Sequence, residues 1–128
     1  AAGSDGTAEP AKASTADGEP ILIGALYPMT GALADSGQNM KDGIDLAVEE
    51  INAAGGISGR PIQIVYGDTQ GANATGMTEM ERLITQDKVM AVMGAYQSGV
   101  TEVVSQVAEN YQVPMITANA TFPYISRI

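Results

Sequence analysis

The chain has no cysteine and no histidine among its 128 residues. Without cysteine there is no thiolate nucleophile and no disulfide. Without histidine there is no serine–histidine pair, and without both there is no Cys/His zinc site. The missing cysteine leaves the compartment open, because it shows only that the fold does without disulfides. Basic residues are scarce: six Lys and Arg stand against fifteen Asp and Glu, giving a net charge of −9. Such a chain lacks the basic face that phosphate backbones require, which argues against nucleic acid. The same deficit argues against an anionic membrane surface. The acidity itself reads first as solubility. No apolar run approaches the roughly 20 residues of a membrane span. Neither G-x-G-x-x-G nor G-x-x-x-x-G-K-[ST] occurs, so nucleotide binding has no support.

The residues that are present divide the chain in two. Ala1 to Pro20 hold no large apolar side chain, only Ala, Gly, Ser, Thr, Asp, Glu, Pro and one Lys. Such a segment cannot bury enough surface to offset its ordering entropy, so residues 1–20 are expected to be a disordered spacer. It has no apolar core and is not a signal peptide. It is either an incidental terminus or a tether that once followed a membrane attachment point. From Ile21 onward the composition is that of a globular domain, residues 21–128.

That domain alternates between two periodicities. Ile21 to Tyr27, Pro61 to Tyr66, Val89 to Met93 and Val113 to Ile116 are short apolar runs, the signature of strands buried on both faces. Pro61 and Pro114 stand at strand starts, where no ladder donor is lost. Between the strands lie apolar stripes at helical spacing. Met40, Ile44, Ala47, Val48 and Ile51 form the first, closed by Gly55 and Gly56. Met77, Met80, Leu83 and Ile84 form the second. Val100, Val103, Val104, Val107, Ala108 and Tyr111 form the third. A turn-rich loop from Pro28 to Gly37 precedes the first helix. Strand–helix alternation of this kind predicts a three-layer αβα, doubly wound parallel sheet with right-handed crossovers, in the strand order 2-1-3-4. The strands predict burial of Ile23, Val65, Val92 and Ile116. The methionines read as core filling.

In such sheets ligands bind beyond the carboxyl ends of the strands, where the strand order reverses. Three loops then face one crevice: Pro28 to Gly37, Ala95 to Ser98, and Ala118 to Thr121. The runs Gly94-Ala95-Tyr96-Gln97-Ser98-Gly99 and Ile116-Thr117-Ala118-Asn119-Ala120-Thr121 are small and polar. Ser98 falls at a helix N-terminus, which presents unpaired N–H groups and a partial positive charge to an anion. Taken singly, Ser98 reads as a helix cap and Thr121 as a turn bond. Their convergence on one crevice favours ligand contacts. No catalytic residue is assigned. Ser98 has neither flanking elbow glycines nor a base. Asp45, Glu49, Glu50, Glu79 and Glu81 fall on solvated helix faces. No metal ligand and no cofactor is assigned either.

The run Ile23-Gly24-Ala25-Leu26-Tyr27-Pro28-Met29-Thr30-Gly31 resembles the opening of branched-chain-amino-acid-type substrate-binding proteins of ABC transporters. So do Gly43 to Ile57, ending Ile51-Asn52-Ala53-Ala54-Gly55-Gly56-Ile57, and the following Gly59-Arg60-Pro61-Ile62. The likeness extends from Ile21 to about Tyr124. It implies the type I periplasmic-binding fold, in which two hinged lobes close on a ligand. It implies no enzyme. In that family the serine at Ser98 binds the ligand carboxylate with its hydroxyl and nearby N–H groups. The turn Asn119-Ala120-Thr121 offers a carbonyl and the Thr121 hydroxyl to the ligand amine. Ser36, Tyr96 and Gln97 border the ligand side chain.

The chain departs from its relatives in two respects. Some of them carry a disulfide between the loops after the second and third strands. Gln97 and Asn119 are also more polar than their counterparts in some relatives, which speaks against leucine-type specificity. The resemblance implies the N-terminal lobe, with the second lobe absent. It further implies an extracytoplasmic solute-binding component of an importer, taking an amino acid or an amide-like solute, with permease subunits as partners. The leading segment resembles the stretch after the lipidated cysteine of bacterial lipoproteins, so any membrane attachment is through a lipid anchor. The alternative is a ligand-sensing domain of a receptor or transcription regulator with the same fold.

Overall fold

The computed structural model describes residues 18–121. The elements run β1 (Ile21–Tyr27), α1 (Ala34–Ala53), β2 (Ile62–Asp68), α2 (Asn73–Thr85), β3 (Ala91–Gly94), α3 (Ser98–Tyr111) and β4 (Met115–Ile116). The strands form one sheet in the order β2-β1-β3-β4. β1 pairs with β3 in parallel, with Ile23 opposite Ala91 and Leu26 opposite Gly94. β3 pairs with β4 in parallel, with Val92 opposite Met115. The parallel α/β sheet with flanking helices and its order 2-1-3-4 therefore stand as the sequence predicts. The expected disorder of residues 1–20 falls almost wholly outside the described residues.

The described residues group into two compact units, 18–21 with 41–63 and 22–40 with 64–121. In the first, the Asn52 side chain grips the backbone of Ile62 from both sides. Its Nδ2 donates to the Ile62 carbonyl at 2.9 Å and its Oδ1 accepts the Ile62 N–H at 2.8 Å. Arg60 Nε donates to the Glu19 carbonyl at 2.8 Å. Glycines 55 and 56, at φ 108° and 72°, end α1 as expected.

The second unit holds the core. Leu26, Met80, Leu83, Val89, Val92, Ala95, Val100, Val104, Val107 and Ala108 form one buried cluster, with Val65 and Met115 packed against it. α2 and α3 pack on each other, with Gly76 in the contact, where a Cβ would come within 3.0 Å of Val100 Cγ1. The Arg82 guanidinium ties α2 to β2. It pairs with Glu79 at 2.8 Å and Asp87 at 2.6 Å and donates to the Tyr66 carbonyl at 3.2 Å. Arg82 in turn holds the Glu79 carboxyl below its usual pKa.

Several sequence expectations are corrected. Ile23 and Val65 are half-buried and not fully buried, and Tyr111 on the third helical stripe is 46% exposed. Gly37 does not close a loop: α1 begins at Ala34, and Gly37 is buried inside it. A side chain there would collide with the Pro28 carbonyl, so the glycine serves close approach and not a turn. Met77 is 42% exposed, because Gly76 takes the contact position and the next residue rotates outward. Ile116 is 71% exposed, although its neighbour Met115 packs on the core. Successive strand side chains face opposite ways, and β4 flanks the sheet of the described residues. On α1, Met40, Ile44 and Val48 are half-buried, but Ala47 and Ile51 are exposed.

Candidate functional site

The loops after β3 and β4 carry most of the candidate residues. β3 ends at Gly94, which has φ 138° and is joined to Ala95 by a cis peptide bond. Its Cα lies so near the Leu26 carbonyl that a side chain would overlap it. The chain then turns through half-buried Tyr96 and Gln97 into α3. Gln97 is the N-cap, with extended backbone at φ −80° and ψ 144°, and makes no side-chain cap bond. Ser98 is the first helical residue, so the cap reading of Ser98 is corrected. Its side chain is half-buried and bonds across to the neighbouring loop instead. Ser98 Oγ accepts the Thr121 N–H at 3.0 Å. Helix start and β4 loop are thus joined at the two residues singled out from sequence.

Within the β4 loop, the Ala120 N–H reaches Thr117 Oγ1 at 3.5 Å. Asn119 and Ala120 are half-buried and Thr121 is exposed. Gln97 Nε2 donates to the Gly71 carbonyl at 3.3 Å, which fixes the orientation of the amide. Gln97 Oε1 and Asn119 Oδ1 are buried and have no donor among the described residues. Ser36 sits half-buried in the first turn of α1, and no hydrogen bond among the described residues links it to the loops of Ser98 or Thr121. The structure therefore joins Ser98, Thr121 and Gln97 to neighbouring loops by named bonds, but not Ser36. No three His, Cys, Asp or Glu side chains gather as a metal-binding group among the described residues.

Two residues that hold these loops were not singled out from sequence. Thr101, 1% exposed, shares its one hydroxyl proton between the Gln97 carbonyl at 2.8 Å and the Ala95 carbonyl at 3.1 Å. It looked like one more helix residue; the available signal was a threonine placed to back-bond to the carbonyl four residues earlier. Asp68 ends β2 and collects the loop after β1. Its Oδ1 accepts the N–H of Met29 at 2.7 Å and of Thr30 at 3.3 Å, and its Oδ2 accepts the Thr30 hydroxyl at 2.7 Å. It also accepts the Gln70 N–H at 2.9 Å, an Asx turn that Asp-x-Gln could have signalled.

Partial burial works to raise the Asp68 pKa, but the Thr30 hydroxyl and the N–H groups of Gln70, Met29 and Thr30 outweigh it and hold the carboxyl below its ordinary value. The folded state thus favours the ionised form. This stabilisation is complete above the unfolded pKa and is lost as pH falls through the lower folded value. Melting curves from about pH 5 downward should show the wild type losing stability faster than Asp68→Asn. Solvent screening keeps the effect small at this partly exposed site. Parallel pH profiles would assign the acid sensitivity to other carboxylates.

Residues 20–125 match the sequence profile of a family described as periplasmic binding protein. The chain belongs to the periplasmic binding protein family. It is 40% identical over 100 residues to Leu/Ile/Val-binding protein homolog 7 of Brucella abortus, covering 78% of this chain and 25% of that protein. It is 40% identical over 116 residues to homolog 8 of Brucella suis, covering 90% and 28%. Among solved structures it is similar to the branched-chain amino acid transporter substrate-binding protein LivJ of Streptococcus pneumoniae in complex with isoleucine. That match has a TM-score of 0.82 and 38% identity, over 85% of this chain and 31% of the other. A solute-binding protein of R. palustris in complex with 4-hydroxybenzoate matches with a TM-score of 0.78 and 29% identity, over 85% and 29%. The chain thus spans about a quarter of the length of the curated relatives it matches. No helix among the described residues is long and apolar enough to cross a membrane.

Proposed function

We propose that this chain is the N-terminal ligand-binding lobe of an extracytoplasmic solute-binding protein serving an ABC importer. The solute is a small carboxylate, an amino acid or a relative of one, and a second lobe closes over it. The observation that carries the reading is the bond from the Thr121 N–H to Ser98 Oγ at 3.0 Å, made at the N-terminus of α3. It puts a hydroxyl, the positive end of a helix and a polar turn beside one another. A serine hydroxyl carries one donor and two acceptor sites, the chemistry a ligand carboxylate and amine call on. Helix N-terminal N–H groups add to the attraction. The two solutes named for the similar structures, isoleucine and 4-hydroxybenzoate, differ in everything except a carboxylate.

In this reading the Asn119 carbonyl and the Thr121 hydroxyl receive the ligand amine, Ala120 shapes the turn between them, and Tyr96, Gln97 and Ser36 border the side chain. The permease subunits are the macromolecular partners. A lipid anchor ahead of residues 1–20 would account for a spacer of that composition.

The test is calorimetric titration of the protein carrying both lobes against amino acids, amides and aromatic acids. Ser98→Ala should weaken binding by about 1–3 kcal/mol through loss of a charge-assisted hydrogen bond. Thr121→Val should weaken binding of amine-bearing solutes alone. Melting midpoints serve as the control. The 128-residue chain, supplying one wall, should bind weakly, since closing lobes gain affinity by surrounding the ligand. Unchanged affinity in both variants would move the site elsewhere.

A further inference from the structure

The bonds that hold the candidate site continue beyond it. A parallel sheet's ladder stops at the strand ends, so the loops beyond must be fixed by other groups. Here the fixing is done by single side chains that each reach from one loop to another. Asp68 joins the loop after β2 to the loop after β1, through the Met29 N–H at 2.7 Å and the Thr30 hydroxyl at 2.7 Å. Gln97 joins the loop after β3 to the loop after β2, through the Gly71 carbonyl at 3.3 Å. Ser98 joins the loop after β3 to the loop after β4, through the Thr121 N–H at 3.0 Å.

The segments between these ties are themselves fastened. The Gln70 N–H bonds Asp68 Oδ1 at 2.9 Å and the Gly71 N–H bonds Thr69 Oγ1 at 3.1 Å, so Asp68 and Gly71 lie on one tight turn. Thr69 is fully buried, and its N–H bonds the Tyr27 carbonyl at 3.0 Å. On the other side, buried Thr101 clamps the carbonyls of Ala95 and Gln97.

We propose that Asp68, Gln97 and Ser98 join the four loops at the carboxyl ends of the strands into one hydrogen-bonded wall, in which Asp68 is a positioning residue for the turn that carries Ser98. The effect on ligand affinity rests on the site reading given under Proposed function; the mechanical coupling does not. A continuous satisfied network rigidifies its members together. A wall ordered in advance spares the ligand the ordering cost. Asp68 therefore acts on binding without touching the solute.

The experiment is amide hydrogen exchange on the 128-residue chain, read at Thr121, with the Val92 amide as a core control because it bonds the Pro114 carbonyl at 2.9 Å. Asp68→Ala should speed exchange at Met29, Thr30 and Gln70, and also several-fold at Thr121, while Val92 is unchanged. Gln97→Ala should speed Thr121 likewise, and the double variant should add little to either single one. Asp68→Asn should restore Thr121 protection. Its amide oxygen can accept the same N–H groups and its NH2 can donate to the Thr30 hydroxyl. Should Asp68→Ala not fold, Thr30→Val removes only the exposed hydroxyl bond and should give the same pattern at smaller amplitude.

Faster exchange confined to Met29, Thr30 and Gln70 would overturn the proposal, as would equal acceleration at Val92. In the two-lobed protein, affinity should fall in Asp68→Ala and recover in Asp68→Asn. If Ser98→Ala leaves affinity unchanged while the exchange pattern holds, the site reading fails and the coupled wall stands. If Ser98→Ala weakens binding and Thr121 exchange ignores Asp68, the reverse is true.

Discussion

Replacing Gly94 by alanine is expected to destabilise the protein by about 3–5 kcal/mol, among the largest effects of any single change. Two causes act together. At φ 138° the backbone lies where L side chains are strained. The added carbon would also meet the Leu26 carbonyl, a backbone group of the central strand that cannot swing aside. The Leu26 carbonyl is fixed because β1 and β3 are hydrogen-bonded neighbours, with Leu26 opposite Gly94. Relief would require β3 to pull away from β1, carrying the turn of Tyr96 to Ser98 with it. Urea unfolding of Gly94→Ala should therefore show a much lower midpoint. Gly43→Ala is the control: this glycine lies within α1 with no atom within 4 Å of an added carbon. There the same substitution should stabilise by about 0.5–1 kcal/mol. A near-wild-type midpoint for Gly94→Ala would mean that β3 is not pressed against Leu26.

Truncating Leu83 to alanine should cost about 2–5 kcal/mol. Leu83 is fully buried, and its Cδ1 lies over two strand glycines, 3.1 Å and 3.4 Å from where the side chains of Gly24 and Gly67 would begin. Those glycines make room for the leucine. Its removal leaves a hole floored by backbone, which cannot collapse by side-chain rotation, so the cost should fall in the upper half of that range. Leu83→Met, which conserves volume, should cost less than about 1.5 kcal/mol. Equilibrium unfolding of the pair separates lost packing from lost hydrophobicity. Equal losses in both would mean that the leucine's shape, and not the volume it fills, sets the stability at this site.

The number, order and kind of elements were legible because each rests on local pattern. Continuous apolar runs mark strands buried on both faces, and Val100, Val104, Val107 and Ala108 recur at helical spacing and are all buried. The order 2-1-3-4 follows from right-handed crossovers, which leave few alternatives. Ser98 and Thr121 could be picked out because each is polar and follows an apolar run. That they touch through Thr121 N–H and Ser98 Oγ is a fact of the sheet, which makes β3 and β4 neighbours.

Tertiary structure alone decided the rest. Gly37 reads as a breaker in sequence, because glycine has one letter for two uses, turning and close approach. Only the nearness of the Pro28 carbonyl shows which applies. Ile116 reads as core in an apolar run, yet it faces away from its core-packed neighbour Met115 and is exposed among the described residues. Nothing local in the sequence marks the partners of Asp68, because Met29 and Thr30 lie 39 and 38 positions earlier in the chain. Periodicity records which residues share a face of one element. It carries nothing about which loop lies within hydrogen-bonding reach of another, and that distance is set only when the strands pair.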